Sequence, residues 1–244
     1  NMCGINGFYS LSPFISDDVI IKMNAAISHR GPDSKGFWSD KKSGIFFGHS
    51  RLSIIDLSAA GNQPMKSNSD RFILTYNGEI YNHLEIRKEL EKSNSNIKWR
   101  GNSDTETLLE AIEFWGIEAT LKKIDGMFAF ALWDKRERCL TLARDRIGEK
   151  PLYFGWQGKG DNKVFLFGSE LKALKVHPMF DGEISRNAIA LQLRHNCIPA
   201  PYSIYKDIYK LLPGNYIQLK ENDFKKSLLP SSKKYWSLSK CAIN

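Results

Sequence analysis

Asn1-Met2-Cys3-Gly4-Ile5-Asn6-Gly7-Phe8-Tyr9 opens the chain. From Cys3 to Tyr9 the segment is short and apolar-rich, kept slim by Gly4 and Gly7, and it reads as a buried strand. A cysteine at the head of such a strand has two readings. Most cysteines are structural, and in that case Cys3 is a small hydrophobe. If Met2 and anything before it are removed, Cys3 instead carries a thiol nucleophile and an α-amine on one residue. An α-amine titrates near about 7.7–8, so much of it is a free base at neutral pH. It can take the thiol proton with no His or Asp partner. The residues downstream decide between the two readings.

Outward from that strand, Ser16 or Asp17 can cap a helix to about Ser28, with Val19, Ile20, Met23 and Ala26-Ile27 at helical spacing. Arg30-Gly31-Pro32-Asp33 stops it as a turn. Phe37-Trp38 and Ile45 to His49 read as a strand pair, and Phe72 to Tyr76 as a strand closed by an Asn77-Gly78 turn. Asn82 with Glu85, and Ser103 with Glu106, are N-cap pairs opening two helices. The second shows Leu108, Leu109, Ile112 and Trp115 on one face. Met127 to Trp133 is apolar on both alternations, which predicts a strand covered on both sides. Strands follow at Cys139–Ala143, Leu152–Trp156 and Val164–Phe167, and helices at Glu170–Lys175 and Ser185–Leu193. About eight strands joined by short turns argue for antiparallel sheet with helices outside, not an alternating β-α wind. From about His195 the texture changes to proline-marked bends and a polar tail. Residues 195–244 therefore read as a connector leading from a domain at 1–194 towards a further domain.

Composition bounds the function. The chain has 244 residues, 42 % hydrophobic and 25 % charged, which suits a globular protein of one large domain or a domain plus an appendage. Its apolar runs fall far short of the roughly 18 residues of a membrane span, and no secretory signal pattern appears. The net charge of +8 is spread over dispersed basic residues with no Lys/Arg stripe among stacking aromatics. A solvated basic surface is the reading, with neither nucleic acid nor membrane as partner. Cys3, Cys139, Cys197 and Cys241 share no C-x-x-C spacing, which points to a reducing cytoplasm. The five histidines form no H-x-x-H cluster, so no metal site is expected.

Four features carry chemistry. Arg51, in His49-Ser50-Arg51-Leu52-Ser53-Ile54, sits among apolar residues leaving a strand and can hold a carboxylate through two parallel hydrogen bonds, or make a surface ion pair. Tyr76-Asn77-Gly78-Glu79 offers an Asn amide and an unshielded Gly amide for an oxyanion, or is an ordinary hairpin turn. Asp104, at the first position of its helix and free to point outward, can receive an ammonium. Cys3 would then attack an amide carbon. Together these describe a site for an α-amino acid amide.

On these pieces the chain resembles the N-terminal glutaminase domain of class II glutamine amidotransferases, most closely that of glutamine-hydrolysing asparagine synthetases. The matching residues are Met2-Cys3-Gly4-Ile5, Arg30-Gly31-Pro32-Asp33, His49 to Asp56, Asn62-Gln63-Pro64-Met65, Tyr76 to Asn82 and Ser103-Asp104-Thr105-Glu106. Further matches are Asp125 to Ala131, Arg144 to Tyr153, Ser169 to Leu174, Leu212-Pro213-Gly214 and Tyr235-Trp236. The resemblance implies an α+β fold, a four-layer αββα sandwich of N-terminal-nucleophile hydrolase type with two mainly antiparallel sheets. It implies Cys3 as nucleophile, Asn77 and Gly78 as the oxyanion hole, and Arg51, Leu52, Ile54, Glu79 and Asp104 around L-glutamine. It implies no cofactor in this domain, and ATP and Mg in a synthetase domain that would accept the ammonia and make asparagine from aspartate. A homodimer is compatible with it.

Four other readings stay open: a related amidotransferase that amidates another acid, such as a sugar carboxylate; a different class II enzyme, such as one aminating a phosphosugar or phosphoribosyl group; a non-catalytic regulatory module on the same fold; and a basic nucleic-acid binder. One departure concerns the start. Asn1-Met2 precede Cys3, so the α-amine as written belongs to Asn1, which reads as a residue left by a cleaved tag. The polypeptide as written is expected to be a poor glutaminase and its processed form an active one.

Overall fold

Strands that alternate apolar residues on both faces need cover on both sides, and the chain supplies it by stacking two sheets and flanking them with helices. The computed structural model describes residues 2–10, 16–52, 58–93 and 97–241. In chain order the first elements are β1 (Gly4–Tyr9), α1 (Asp17–Ala26), β2 (Ser34–Asp40), β3 (Ile45–Arg51), β4 (Met65–Lys66) and β5 (Phe72–Ile80). Three helices follow, α2 (His83–Ser93), α3 (Asp104–Trp115) and α4 (Ile117–Lys123). Next come β6 (Gly126–Asp134), β7 (Cys139–Arg144), β8 (Tyr153–Gln157) and β9 (Val164–Gly168). The remainder is α5 (Leu171–Lys175), α6 (Arg186–His195), β10 (Ile208–Lys210), β11 (Asn215–Leu219), α7 (Glu221–Lys226), β12 (Lys233–Lys234) and α8 (Leu238–Cys241).

Among the described residues the strands form two six-stranded sheets, ordered β10-β8-β9-β1-β3-β2 and β12-β11-β7-β6-β5-β4. Every pairing is antiparallel. The apolar residues divide into three layers. Ile5, Phe47, Phe167, Ala129, Ala131 and Trp133 fill the space between the sheets. Phe8, Phe46 and Leu166 meet Ile20 and Met23 of α1 and Leu174 of α5 on one outer face. Leu74, Tyr76, Phe128 and Phe130 meet Leu90 of α2 and Leu108, Leu109 and Ile112 of α3 on the other. This is the α+β, four-layer αββα arrangement that the sequence led us to expect. β6 shows the cause plainly: Ala129, Ala131 and Trp133 face the other sheet, Phe128, Phe130 and Leu132 face the helices, and both sets are buried.

Two local expectations change. The dipeptide Asn77-Gly78 is not a turn, since β5 runs through it to Ile80 and pairs with β6 in the register Asn77↔Ala129 and Gly78↔Phe128. A turn signal in two residues is outweighed by nine residues of ladder. Gly78 is there because the strands come too close for a side chain: a Cβ would lie 2.3 Å from the Met127 carbonyl oxygen and 2.7 Å from the Phe128 Cα. The segment read as a connector also places strands. β10 pairs with β8 on one sheet and β11 with β7 on the other. Ile208, Leu211, Ile217, Leu219 and Phe224 of that segment are buried in the cores.

Candidate active site

Cys3, Arg51, Leu52, Gly78, Glu79 and Asp104, singled out in the sequence, meet at one end of the sandwich, while Asn77 is not among the residues lining the cleft there. A cleft there is lined by Cys3, Arg51, Leu52, Tyr76, Gly78, Glu79 and Asp104, with Gly61, Gln63, Ser103 and Thr105 completing its wall. Cys3 precedes β1, which pairs with β3 at Gly4↔Ser50, and so its side chain lands beside the end of β3. The Leu52 N–H donates to the Cys3 Sγ at 3.3 Å, and the thiol points back to the Leu52 carbonyl at 3.5 Å. The Cys3 carbonyl accepts from Arg30 Nε at 2.9 Å, and Arg30 Nη1 is paired with Glu170 at 2.9 Å. The turn that aims Arg30 is locked to β3, because a Cβ at Gly31 would sit 2.4 Å from the Ser50 carbonyl. Burial pushes the Cys3 thiol up from its ordinary range; the Leu52 N–H and Arg51 oppose this, Asp104 adds to it, and Arg30 opposes it. The resting sulfur is a thiol that needs a base before it can attack.

Asp104 stands at the first position of α3, where the helix dipole favours a negative charge. Ser103 caps the helix by accepting from the Glu106 N–H at 3.2 Å. The Glu106 carboxylate does not return to Ser103; it takes the N–H groups of Arg100 and Gly101 at 2.9 and 3.0 Å. Asp104 is not turned outward as expected. It is 5 % exposed, and its Oδ2 accepts from the Tyr76 hydroxyl at 2.8 Å and the Ile80 N–H at 2.9 Å. Burial raises the Asp104 carboxyl above the ordinary range, and these two donors pull it back. A cation entering the cleft would complete its neutralisation.

Asn77 lies on the opposite face of β5 from Tyr76 and Gly78, towards the other sheet. On that face Thr75 Oγ1 donates to the Gly48 carbonyl, and His49 Nε2 meets the Tyr76 carbonyl at 3.0 Å. The Asn77 amide is fully buried, and among the described residues its Nδ2 has no hydrogen-bond partner. A buried donor left unspent is costly, and it can be satisfied by a transient acceptor. Arg51 is buried, with Nη1 donating to the Ser58 carbonyl at 3.1 Å and to Asn62 Oδ1 at 2.8 Å. The guanidinium is thereby held in place at the cleft wall. Glu79 and Leu52 are half-buried there. Ile54, also expected at the pocket, lies outside the described residues.

Several contributors escaped the sequence reading. Tyr76 was read as the end of a strand, yet its hydroxyl holds Asp104; an aromatic with a polar tip next to Asn77 was the available signal. Gln63 Oε1 accepts from the Tyr76 N–H at 2.6 Å, and its Nε2 donates to Thr105 at 3.4 Å, joining two walls of the cleft. Arg30 was read as part of a helix stop. Among the described residues no group of three His, Cys, Asp or Glu could hold a metal ion, and no helix is long and apolar enough to cross a membrane.

The profile of the glutamine amidotransferase domain family matches residues 2–236. The chain belongs to the glutamine amidotransferase family. It is 39 % identical over 228 residues to a putative glutamine-hydrolysing asparagine synthetase of Methanocaldococcus jannaschii, covering 86 % of this chain and 42 % of that protein. It is 36 % identical over 223 residues to glutamine-hydrolysing asparagine synthetase 1 of Bacillus subtilis, covering 90 % of this chain and 34 % of that one. The chain therefore spans well under half the length of these relatives. Among solved structures, the glutamine phosphoribosylpyrophosphate amidotransferase of Bacillus subtilis superposes with a TM-score of 0.66 at 17 % identity, over 96 % of this chain and 49 % of that one. At that identity the likeness is one of fold. The fold of this amidotransferase domain is the N-terminal-nucleophile sandwich.

Proposed function

We propose that this domain hydrolyses L-glutamine to glutamate and ammonia with Cys3 as the nucleophile. The observation that carries the reading is the placement of the Cys3 sulfur in one cleft with a buried carboxylate, Asp104, and a buried guanidinium, Arg51. Glutamine presents an ammonium to the first and a carboxylate to the second, which leaves its side-chain amide for the sulfur. Leu52 and Glu79 flank the substrate, with Ile54 assigned to the same wall by resemblance.

In the chain that begins at Cys3, the α-amine takes the thiol proton and the sulfur adds to the amide carbon. The developing oxyanion is received by the Asn77 Nδ2 and the Gly78 N–H; loss of one such donor costs roughly 10²–10³ in rate. The protonated amine returns its proton to the leaving nitrogen, the C–N bond breaks, and ammonia departs, leaving a γ-glutamyl thioester on Cys3. Water, activated by the same amine, then releases glutamate and restores the thiol.

The relatives' names and lengths support the further reading that the ammonia feeds an ATP-dependent synthetase domain that makes asparagine from aspartate. The deciding experiment measures ammonia release from glutamine by the Cys3-initiated chain, its Cys3→Ala variant and the chain retaining Asn1-Met2. Release should vanish in the variant with folding intact and be weak in the extended chain. Near-normal turnover without the thiol refutes the nucleophile, and equal rates with and without Asn1-Met2 refute the amine as base.

A further inference from the structure

The loop between β7 and β8 delivers a lysine to the start of the chain. Asp145, fully buried, organises that loop by accepting from the backbone N–H groups of Phe128 at 3.2 Å, Gly148, Glu149 at 2.8 Å and Lys150 at 2.9 Å. The Lys150 carbonyl accepts from Arg144 Nε at 2.7 Å. Lys150 is thus held on both sides of its Cα, the residue is 4 % exposed, and Nζ donates to Met2 Sδ at 2.8 Å in a half-buried contact. A thioether is a weak acceptor with no charge, and among the described residues Lys150 forms no ion pair. A half-buried ammonium ending on the residue just before the nucleophile needs an explanation, since such a group ordinarily finds a carboxylate.

We propose that Lys150 is a positioning residue for the nucleophile: once Met2 is removed, its ammonium faces the new amino terminus, disfavours a second positive charge there, and so keeps the Cys3 amine a free base. This inference rests on the glutaminase reading above. Sδ of Met2 is five covalent bonds from the Cys3 nitrogen, so Nζ stands within roughly 9 Å of it. At that range, with an effective dielectric near 20, one unit charge moves a pKa by about one unit.

The other charges around this point do not do the same work. Arg30 is neutralised by Glu170, and Glu170 is further held by Lys172 and His29. Asp145 is committed to four backbone N–H groups, and Glu149 draws Lys150 upward. Arg51 and Asp104 face the thiol from the far wall with opposite signs. Burial lowers Lys150 from its ordinary range, with Arg30 helping, while the Cys3 thiolate supports its charge. Ammonium and thiolate therefore favour one another.

The test compares Cys3-initiated chains carrying Lys150, Lys150→Met and Lys150→Arg. Two profiles are recorded: kcat/KM for ammonia release against pH, and the rate of Cys3 alkylation by iodoacetamide against pH without glutamine, read by peptide mass so that Cys197 and Cys241 do not interfere. In Lys150→Met the acid limb of both profiles should move up by about one pH unit, with a loss of about tenfold at pH 6.5. Lys150→Arg should leave both limbs in place. Coincident limbs in wild type and Lys150→Met overturn the proposal, as does an Arg variant that behaves like the Met variant. If Lys150→Met does not fold, Lys150→Gln takes its place under the same criteria. If the wild type releases no ammonia, the glutaminase reading fails, while the alkylation limb still reports whether Lys150 tunes the terminus.

Discussion

Replacing Asp104 by Asn separates binding from stability. The carboxylate is 5 % exposed and accepts two hydrogen bonds on one oxygen, from Tyr76 at 2.8 Å and Ile80 at 2.9 Å. An Asn amide oxygen can accept both, so the local geometry survives while the charge goes. Removing one partner of a buried ion pair costs about 3–5 kcal/mol, which predicts a fall in kcat/KM for glutamine of about 10²–10⁴-fold, expressed mainly in KM. Stability should move the other way. Burial raises the Asp104 carboxyl in the folded state. The folded protein then holds that proton over a window above the ordinary carboxylate value, where the unfolded chain has lost it. The contribution to stability is complete below the unfolded pKa and is lost as pH rises through the folded one. Above that window the ionised, buried group is a standing cost, which Asn removes. Melting followed by calorimetry should give Asp104→Asn a Tm at pH 7 equal to or above wild type. A Tm several degrees lower, together with unchanged glutamine kinetics, would mean that the carboxylate is a structural cap and that the ammonium binds elsewhere.

Tyr76→Phe removes one hydrogen bond to that carboxylate, a charge-assisted bond of about 1.5–3 kcal/mol; the glutamine KM should rise about tenfold at acidic pH and converge on wild type as the pH rises, and a pH-independent change would refute the link. Gly78→Ala forces a methyl against the Met127 carbonyl at 2.3 Å; overpacking of about 1–3 kcal/mol should lower Tm by about 3–10 °C, and a Tm within 1 °C of wild type would contradict the register of β5 on β6. His49 and His177 are buried and pushed down to about 4 by desolvation, so the unfolded chain binds more protons than the folded one between about pH 6.5 and 4. Stability should therefore be complete above pH 6.5 and decline as pH falls towards 4, with a slope approaching two protons in denaturant titrations; a flat profile there would show that one ring is charged in the fold. Glu170 behaves separately, because burial alone would raise it but Arg30, Lys172 and His29 outweigh that and hold it at about 2, so its contribution is lost only below about pH 4.5.

The layered fold was legible because long strands leave a periodic trace. Met127 to Trp133 is apolar on both alternations, which already demands a partner layer on each side, and β6 has one. The strands that escaped notice, β4, β10 and β12, are two or three residues long, and no period can be read from so few. Asn77-Gly78 shows the opposite failure. The dipeptide carries a strong local turn preference, but pairing along β5 prevails, and glycine serves close approach to Phe128 instead of backbone reversal. Of the residues grouped from the sequence, Cys3, Arg51, Leu52, Gly78, Glu79 and Asp104 line one cleft, Asn77 is not among its lining residues, and Ile54 lies outside the described residues. The supports of that cleft were not legible. Tyr76 on Asp104, Gln63 on Tyr76 and Lys150 at Met2 are contacts between residues 13 to 148 positions apart, and only the tertiary packing of strands, helices and loops brings them together.

Residues 208–219 run from the edge strand of one sheet to the last but one strand of the other, and this limits where the chain can be cut. A chain cut after residue 194 would lose β10 and β11 together and leave β8 and β7, joined by the 145–152 loop, as raw edges. Exposed ladders of that kind recruit other strands, and such a fragment should self-associate instead of remaining monomeric. Designs that carry this domain into other proteins should keep the clasp through Tyr235, whose hydroxyl donates to the Arg144 carbonyl at 2.8 Å and buttons the tail onto the loop that bears Lys150.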